Sequence, residues 1–291
     1  MTFTSESNAI NILIFLVCTI HKTRKNNVFF AHILAKPPLQ MYVMYIMENN
    51  KQLFDTICRS AGTAAVQYNM TREGDRVLVG LSGGKDSFVL MHVLDHLQKA
   101  APVNFTFEAA TFDPGFENFG TEKIREYCIA HNWKHHTVKL NIPALLKEKD
   151  FEESPCVLCS RLRRGKLYGL AAELNCNRLA LGQHLDDIVI SFLMSLCRGQ
   201  GLSTMAPVVE PKKAGQPTVI RPLALVPESA IAAYAETLDL PGAGNCIYKQ
   251  QLQCGDRMFF KEMLKDLEKR IPDIRSNVAR SLKKVEIDHL L

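Results

Sequence analysis

The chain has 291 residues, of which 47% are apolar and 22% charged, with a formal net charge of +5. These proportions exclude a disordered chain and suit a soluble, cytoplasmic enzyme of one large domain or two small ones. The mild excess of positive charge permits a nucleic-acid partner without requiring one, and nine cysteines, an odd number in so long a chain, exclude a secreted disulfide framework.

The N-terminus opens on an apolar run at 10–20 (INILIFLVCTI), followed by His21-Lys22-Thr23-Arg24-Lys25. The run falls short of the ~18 apolar residues needed to cross a bilayer, so no stable membrane span is expected. The charges also follow the run, the reverse of a secretory signal. Met47-Glu48-Asn49-Asn50 resembles a natural beginning. Residues 1–46 therefore read as an appended segment without chemistry, with organelle targeting as the other reading. Residues 47–240 read as an α/β domain and 241–291 as a small C-terminal helical part.

From residue 50 onward, helices and strands alternate. Arg76–Leu81 is a short apolar run, as expected of a strand buried on both faces. Ser82-Gly83-Gly84-Lys85-Asp86-Ser87 opens a helix that reaches about Gln98. Strand Phe105–Phe112 ends at Asp113-Pro114-Gly115, a helix covers roughly 120–131, and His135–Leu140 is a third strand. A helix over about Ser160–Leu174 leads to strand Arg178–Leu181, and Gly182-Gln183-His184-Leu185-Asp186-Asp187 begins the next helix. Val208–Leu223 reads as a hairpin around Lys212–Gln216, Pro227–Leu238 as a helix, and the segment from Arg257 as amphipathic helix. This alternation predicts a doubly wound, mostly parallel α/β sheet.

Two turns carry chemistry. In SGGKDS, Ser82, Gly83 and Gly84 let the backbone approach a phosphate, and the helix start favours an anion. Lys85 adds a positive charge, Ser87 a hydroxyl, and Asp86 a carboxylate able to hold Mg2+. This is not the G-x-x-x-x-G-K-[ST] loop, since the first glycine is missing and Asp follows Lys. It resembles the PP-loop of the ATP pyrophosphatase superfamily, whose members cleave ATP between the α and β phosphates. In the second turn, Gly182, His184, Asp186 and Asp187 lie at another strand-to-helix junction, where open α/β sheets bind ligands. Alone, two acids at a helix start complement its dipole. Beside SGGKDS they become candidates for holding Mg2+ and the triphosphate, and the sequence does not divide the roles between them. Asp113 is a weaker candidate for touching the nucleotide.

Cys156-x-x-Cys159 admits a zinc pair, a redox pair or an iron–sulfur site. The order SGGKDS (82–87), CVLCSRLRRG (156–165), GQHLDD (182–187), Ile220-Arg221-Pro222-Leu223 and Cys246 resembles the tRNA 2-thiocytidine synthetase family over roughly residues 50–285. The resemblance implies a sulfur transferase that adenylates a cytidine at position 32 of the tRNA anticodon loop. It also implies a [4Fe–4S] cluster on Cys156, Cys159 and Cys246, a cysteine desulfurase as sulfur source, and a homodimer. Its catalytic residues would be Lys85, Asp86 and Asp187.

One departure concerns Cys254, close enough to Cys246 to compete, and four cysteines could instead make a closed zinc site. Cys18, Cys58, Cys128, Cys176 and Cys197 read as ordinary buried thiols. Arg161, Arg163, Arg164 and Lys166 follow the cysteine pair and are either a solvated helix face or a surface that positions RNA phosphates. Reading a single cytosine would need it unstacked. The competing functions are a PP-loop uridine thiolase or other adenylating enzyme, and a non-catalytic metal-containing RNA-binding protein.

Overall fold

The computed structural model describes residues 37–115, 119–143, 155–242, 255–286 and 288, without the side chains of 37–43 and 155–158. The apolar run at 10–20, Cys18, Cys246 and Cys254 lie outside the described residues. The chain divides at Gln52/Leu53 into two compact units. Helix α1, Pro37–Gln67, runs without a break through Met47.

Beyond it the elements are β1 (Arg76–Gly80), α2 (Lys85–Ala100), β2 (Thr106–Asp113), α3 (Thr121–Ala130), β3 (His135–Lys139), α4 (Pro155–Glu173) and β4 (Arg178–Ala180). They are followed by α5 (Leu185–Cys197), β5 (Val208–Val209), β6 (Thr218–Ile220), α6 (Glu228–Glu236), α7 (Asp256–Arg270) and α8 (Ile274–Ser281). Among the described residues no helix is long and apolar enough to cross a membrane.

The strands form one sheet in the order β3-β2-β1-β4-β6-β5. All neighbours pair in parallel except β5 and β6, which form the expected hairpin. β1 is buried on both faces, which explains its unbroken apolar run. Val77 and Val79 pack with Phe88, Leu90 and Leu94 of α2 and with Ile57 and Ala61 of α1. Leu78 points the other way, to Leu167 and Ala171 of α4. A third apolar cluster joins α5 to the C-terminal helices through Leu185, Val189, Phe260 and Leu264.

The strand order reverses between β1 and β4. Chain connections diverge there beyond the carboxyl ends of the strands, leaving a crevice for a ligand. SGGKDS follows β1 and GQHLDD follows β4, so the topology alone brings the two motifs together.

At the opposite end of the sheet, buried polar groups are paired. Asp75 accepts from Arg178 Nε at 2.8 Å and from Asn177 at 2.7 Å. Glu108 accepts from Lys134 at 2.8 Å, His136 at 2.7 Å and Arg76 at 3.2 Å. Burial alone would raise the Glu108 carboxyl, but hydrogen bonds from Lys134 and His136 override it and bring it down to about 2. A depressed carboxylate pKa stabilises the fold above its unfolded value, and that contribution is lost as pH falls through the folded value. Stability is therefore expected to fall between about pH 4.5 and 2. Glu108→Gln should flatten that part of the denaturant-midpoint profile and cost about 1–3 kcal/mol at pH 7.

Candidate active site

The phosphate loop is held open by its own serines. Ser87 is buried and its hydroxyl donates to the Gly84 carbonyl at 2.8 Å. It also lies 3.1 Å from the Ser82 hydroxyl and accepts from the Ser82 N–H at 3.2 Å. The Ser87 hydroxyl thus braces the loop from within. Gly83 has φ +81°, which only glycine adopts without strain. Among the described residues the N-cap Gly84 offers no side-chain cap to the start of α2, and a helix start of this kind favours an anion.

The second motif touches the first at backbone level. A Cβ on Gly182 would lie 3.1 Å from the Asp86 carbonyl group and 3.2 Å from the Ser87 nitrogen. Any side chain there pushes the two loops apart. Gly182→Ala is expected to weaken binding of a non-hydrolysable ATP analogue by about tenfold or more, read by calorimetry, because small displacements at such sites are costly.

His184 is buried beside the same contact, with Nε2 3.6 Å from Asp187 and 3.9 Å from Asp86. Among the described residues its Nδ1 has no hydrogen-bond partner, and it lies 3.9 Å from Asp186.

The structure separates the two acids of GQHLDD. Asp186 is spent on architecture: it accepts from the Glu228 N–H at 2.7 Å and pairs with Arg275 of α8. Asp187 accepts from the His184 N–H at 3.1 Å and pairs with the half-exposed Arg257. Asp86 and Asp187 therefore approach one histidine from two motifs.

Lys85 donates to Asp86 at 2.7 Å and to Glu228 at 3.2 Å, and Glu228 also pairs with Lys261 of α7 at 2.7 Å. Burial would raise the Glu228 carboxyl, but Lys261 and Lys85 overcome it and hold it down at about 2. Burial would lower the Lys85 ammonium, but its bonds to Asp86 and Glu228 raise it, so it stays charged. Lys85 is thus paired with two carboxylates. Glu228, Lys261 and Arg275 are distant in sequence from both motifs. Glu228 reads locally as an ordinary acid at a helix start.

Beside the loop lies a cavity of about 690 Å³. Ser82 and Gln183 face it from the two motifs, Phe112 from β2, and Arg163, Arg164 and Tyr168 from α4. Lys212, Lys213 and Arg221 close the side formed by the β5–β6 hairpin. The helical repeat explains the α4 face: Ser160, Arg163, Arg164, Leu167 and Tyr168 recur at intervals of three and four. Arg161 and Lys166 are exposed and do not line the cavity, so the four-cation patch of the sequence divides in two. Burial lowers the Arg221 guanidinium pKa from its usual value.

Asp113 is used locally, accepting from the Gly115 N–H at 2.9 Å, and does not line the cavity. Cys159 is a half-buried free thiol at the start of α4, packed with Leu162 and the core beneath α4. Cys156 lies in the preceding turn of the same helix. Soft thiolates are the donors that an iron–sulfur cluster takes, and the half-buried Cys159 thiol fits such a group. Cys58, Cys128 and Cys176 are buried, and burial pushes their thiols up to about 12, 11 and 11. Cys197 corrects the expectation for its class: it ends α5 and is exposed.

Residues 56–241 match the PP-loop domain family. The chain is 38% identical to the tRNA-cytidine(32) 2-sulfurtransferase of Geotalea uraniireducens, over 82% of this chain and 95% of that one. It is also 38% identical to the Deinococcus radiodurans protein of the same name, covering 82% and 80%. Among solved structures, the U34-tRNA thiolase NcsA from Methanococcus maripaludis with its [4Fe-4S] cluster shares the fold. Its TM-score is 0.64 and its identity 23%, over 83% of this chain and 82% of that one. With its two phosphate-side motifs in contact and its relatives matched over nearly their full length, the chain belongs to the PP-loop family and, within it, to the tRNA-cytidine(32) 2-sulfurtransferases.

Proposed function

We infer that this protein converts a cytidine at position 32 of the tRNA anticodon loop to 2-thiocytidine, at the expense of ATP cleaved to AMP and pyrophosphate. The observation that supports the reading most is the contact of Gly182 with Asp86 and Ser87, beside a cavity lined by Arg163, Arg164, Lys212 and Lys213.

ATP enters with its phosphates on Ser82, Gly83, Gly84 and the start of α2. Lys85 takes the negative charge that builds up on the departing pyrophosphate. Asp86 and Asp187 would hold Mg2+, which would neutralise charge on the triphosphate, and Gly182 keeps the second turn against the first. The target base, unstacked from the loop, lies in the cavity with its C2 oxygen toward the α-phosphorus. That oxygen attacks phosphorus and pyrophosphate leaves, so a poor leaving group becomes AMP. Arg163, Arg164, Lys212 and Lys213 receive the flanking RNA phosphates. A [4Fe–4S] cluster held by Cys156, Cys159 and Cys246 would supply the sulfur that displaces AMP from C2. The partners of this reaction are the tRNA, a cysteine desulfurase that furnishes the sulfur, and a second copy of the chain.

The adenylation half can be tested by itself. Pyrophosphate release by the full chain with ATP and Mg2+ should rise on addition of a tRNA bearing cytidine at position 32. Release that ignores the tRNA would refute the reading. The alternative of a metal-containing RNA-binding protein without chemistry leaves the contact between the two motifs without a purpose.

A further inference from the structure

Gln183 lies in the turn between β4 and α5, and its side chain lines the cavity that also reaches Ser82 of the phosphate loop. Its amide has a fixed orientation. Arg221 Nε donates to Oε1 at 2.9 Å, and a guanidinium carries only donors, so the atom facing it must be the amide oxygen. Arg221 is anchored in turn, through Nη1 to the Ala206 carbonyl and through its backbone N–H to the Pro207 carbonyl at 2.9 Å. The Gln183 NH2 group is thereby presented as a donor, and among the described residues nothing accepts from it.

A fixed donor has a definite meaning for a pyrimidine. Cytosine carries an acceptor at N3, directly beside the C2 oxygen, whereas uracil carries N3–H. The C2 oxygen itself is common to both and cannot tell them apart. A donor set against N3–H leaves two donors opposed and a buried polar group unpaired, which is the strong form of discrimination. Resting on the function proposed above, we propose that Gln183, oriented by Arg221, reads N3 of the target base and selects cytosine over uracil at the adenylation step. Gln183 is the base-reading residue and Arg221 its positioning residue.

The test is RNA-dependent pyrophosphate release by the full chain, which needs no sulfur, with anticodon stem-loops bearing cytidine, 3-deazacytidine or uridine at the target position. Wild type is expected to favour cytidine over 3-deazacytidine by about 10- to 100-fold, since one buried hydrogen bond to N3 is lost. Gln183→Leu should slow the cytidine substrate and bring that ratio close to one. Gln183→Glu keeps the pair with Arg221 but offers no donor, and should do the same if the leucine variant fails to fold. Arg221→Met frees the amide to turn, so the cytidine-to-uridine ratio should fall. An unchanged cytidine-to-deazacytidine ratio in the Gln183 variants, with all rates lowered together, would reduce Gln183 to packing and overturn the inference. Wild type that no stem-loop stimulates would instead overturn the proposed function, and the inference with it.

Discussion

Asp187→Asn is expected to lower tRNA-dependent pyrophosphate release by about 100- to 1,000-fold, as removal of one charged group at a phosphoryl-transfer site does. The substitution keeps the shape of the side chain and its bond from the His184 N–H. It removes the charge that Asp187 would share with Asp86 at the divalent cation. The folding cost should be small, about 1 kcal/mol or less, because the lost partner Arg257 is half exposed. Asp186→Asn should behave in the opposite way. Its carboxylate is buried, pairs with Arg275 and caps the start of α6 through the Glu228 N–H. A loss of about 2–4 kcal/mol of stability is expected there. Thermal melting and pyrophosphate release, measured on both variants, separate the two neighbouring acids. Comparable activity losses with no stability difference would contradict the division of roles.

The second large effect is expected at Cys159. Cys159→Ala should abolish 2-thiocytidine formation and remove iron and acid-labile sulfide from the anaerobically purified protein. tRNA-dependent pyrophosphate release should survive within about threefold, because the phosphate loop and the α4 cysteine turn are separate elements and Cys159 itself does not line the cavity. Cys246→Ala should match it, and Cys254→Ala should keep its iron. One zinc per chain, no sulfide, and loss of the metal with Cys254 as well as Cys246 would mean a closed structural site.

Much of this arrangement is written locally in the sequence. SGGKDS and GQHLDD are each a strand end, a glycine and a helix start within six residues, so short-range rules place them correctly. The alternation of strands and helices then gives the parallel sheet, and the crevice follows from topology. Features that depend on distant residues were not legible. Glu228 and Lys261 join Lys85 only through packing of α6 and α7 around the loop. Gln183 stands plainly in its motif, yet its amide acquires a direction only when Arg221 arrives from just beyond β6.

Local signals can also be outweighed. The sequence reading starts this helix near Ser160, whereas α4 begins at Pro155. Proline is well suited to a first helical position, since its missing N–H would have no partner there. Arg161, Arg163, Arg164 and Lys166 look like one cluster in sequence, but a helix turns 100° per residue and sends them to different sides. Cys197 sits in an apolar stretch that predicts burial, but it is the last residue of α5, beyond the part of that helix packed against α7.

The central claim is most directly tested by nucleoside mass analysis of tRNA incubated with the full chain, ATP, Mg2+ and a sulfide source under anaerobic conditions. Appearance of 2-thiocytidine that maps to position 32 and is absent with Asp187→Asn is the expected result. Thiolation of uridine instead, or an unmodified tRNA from an iron-loaded and ATP-binding protein, would contradict it.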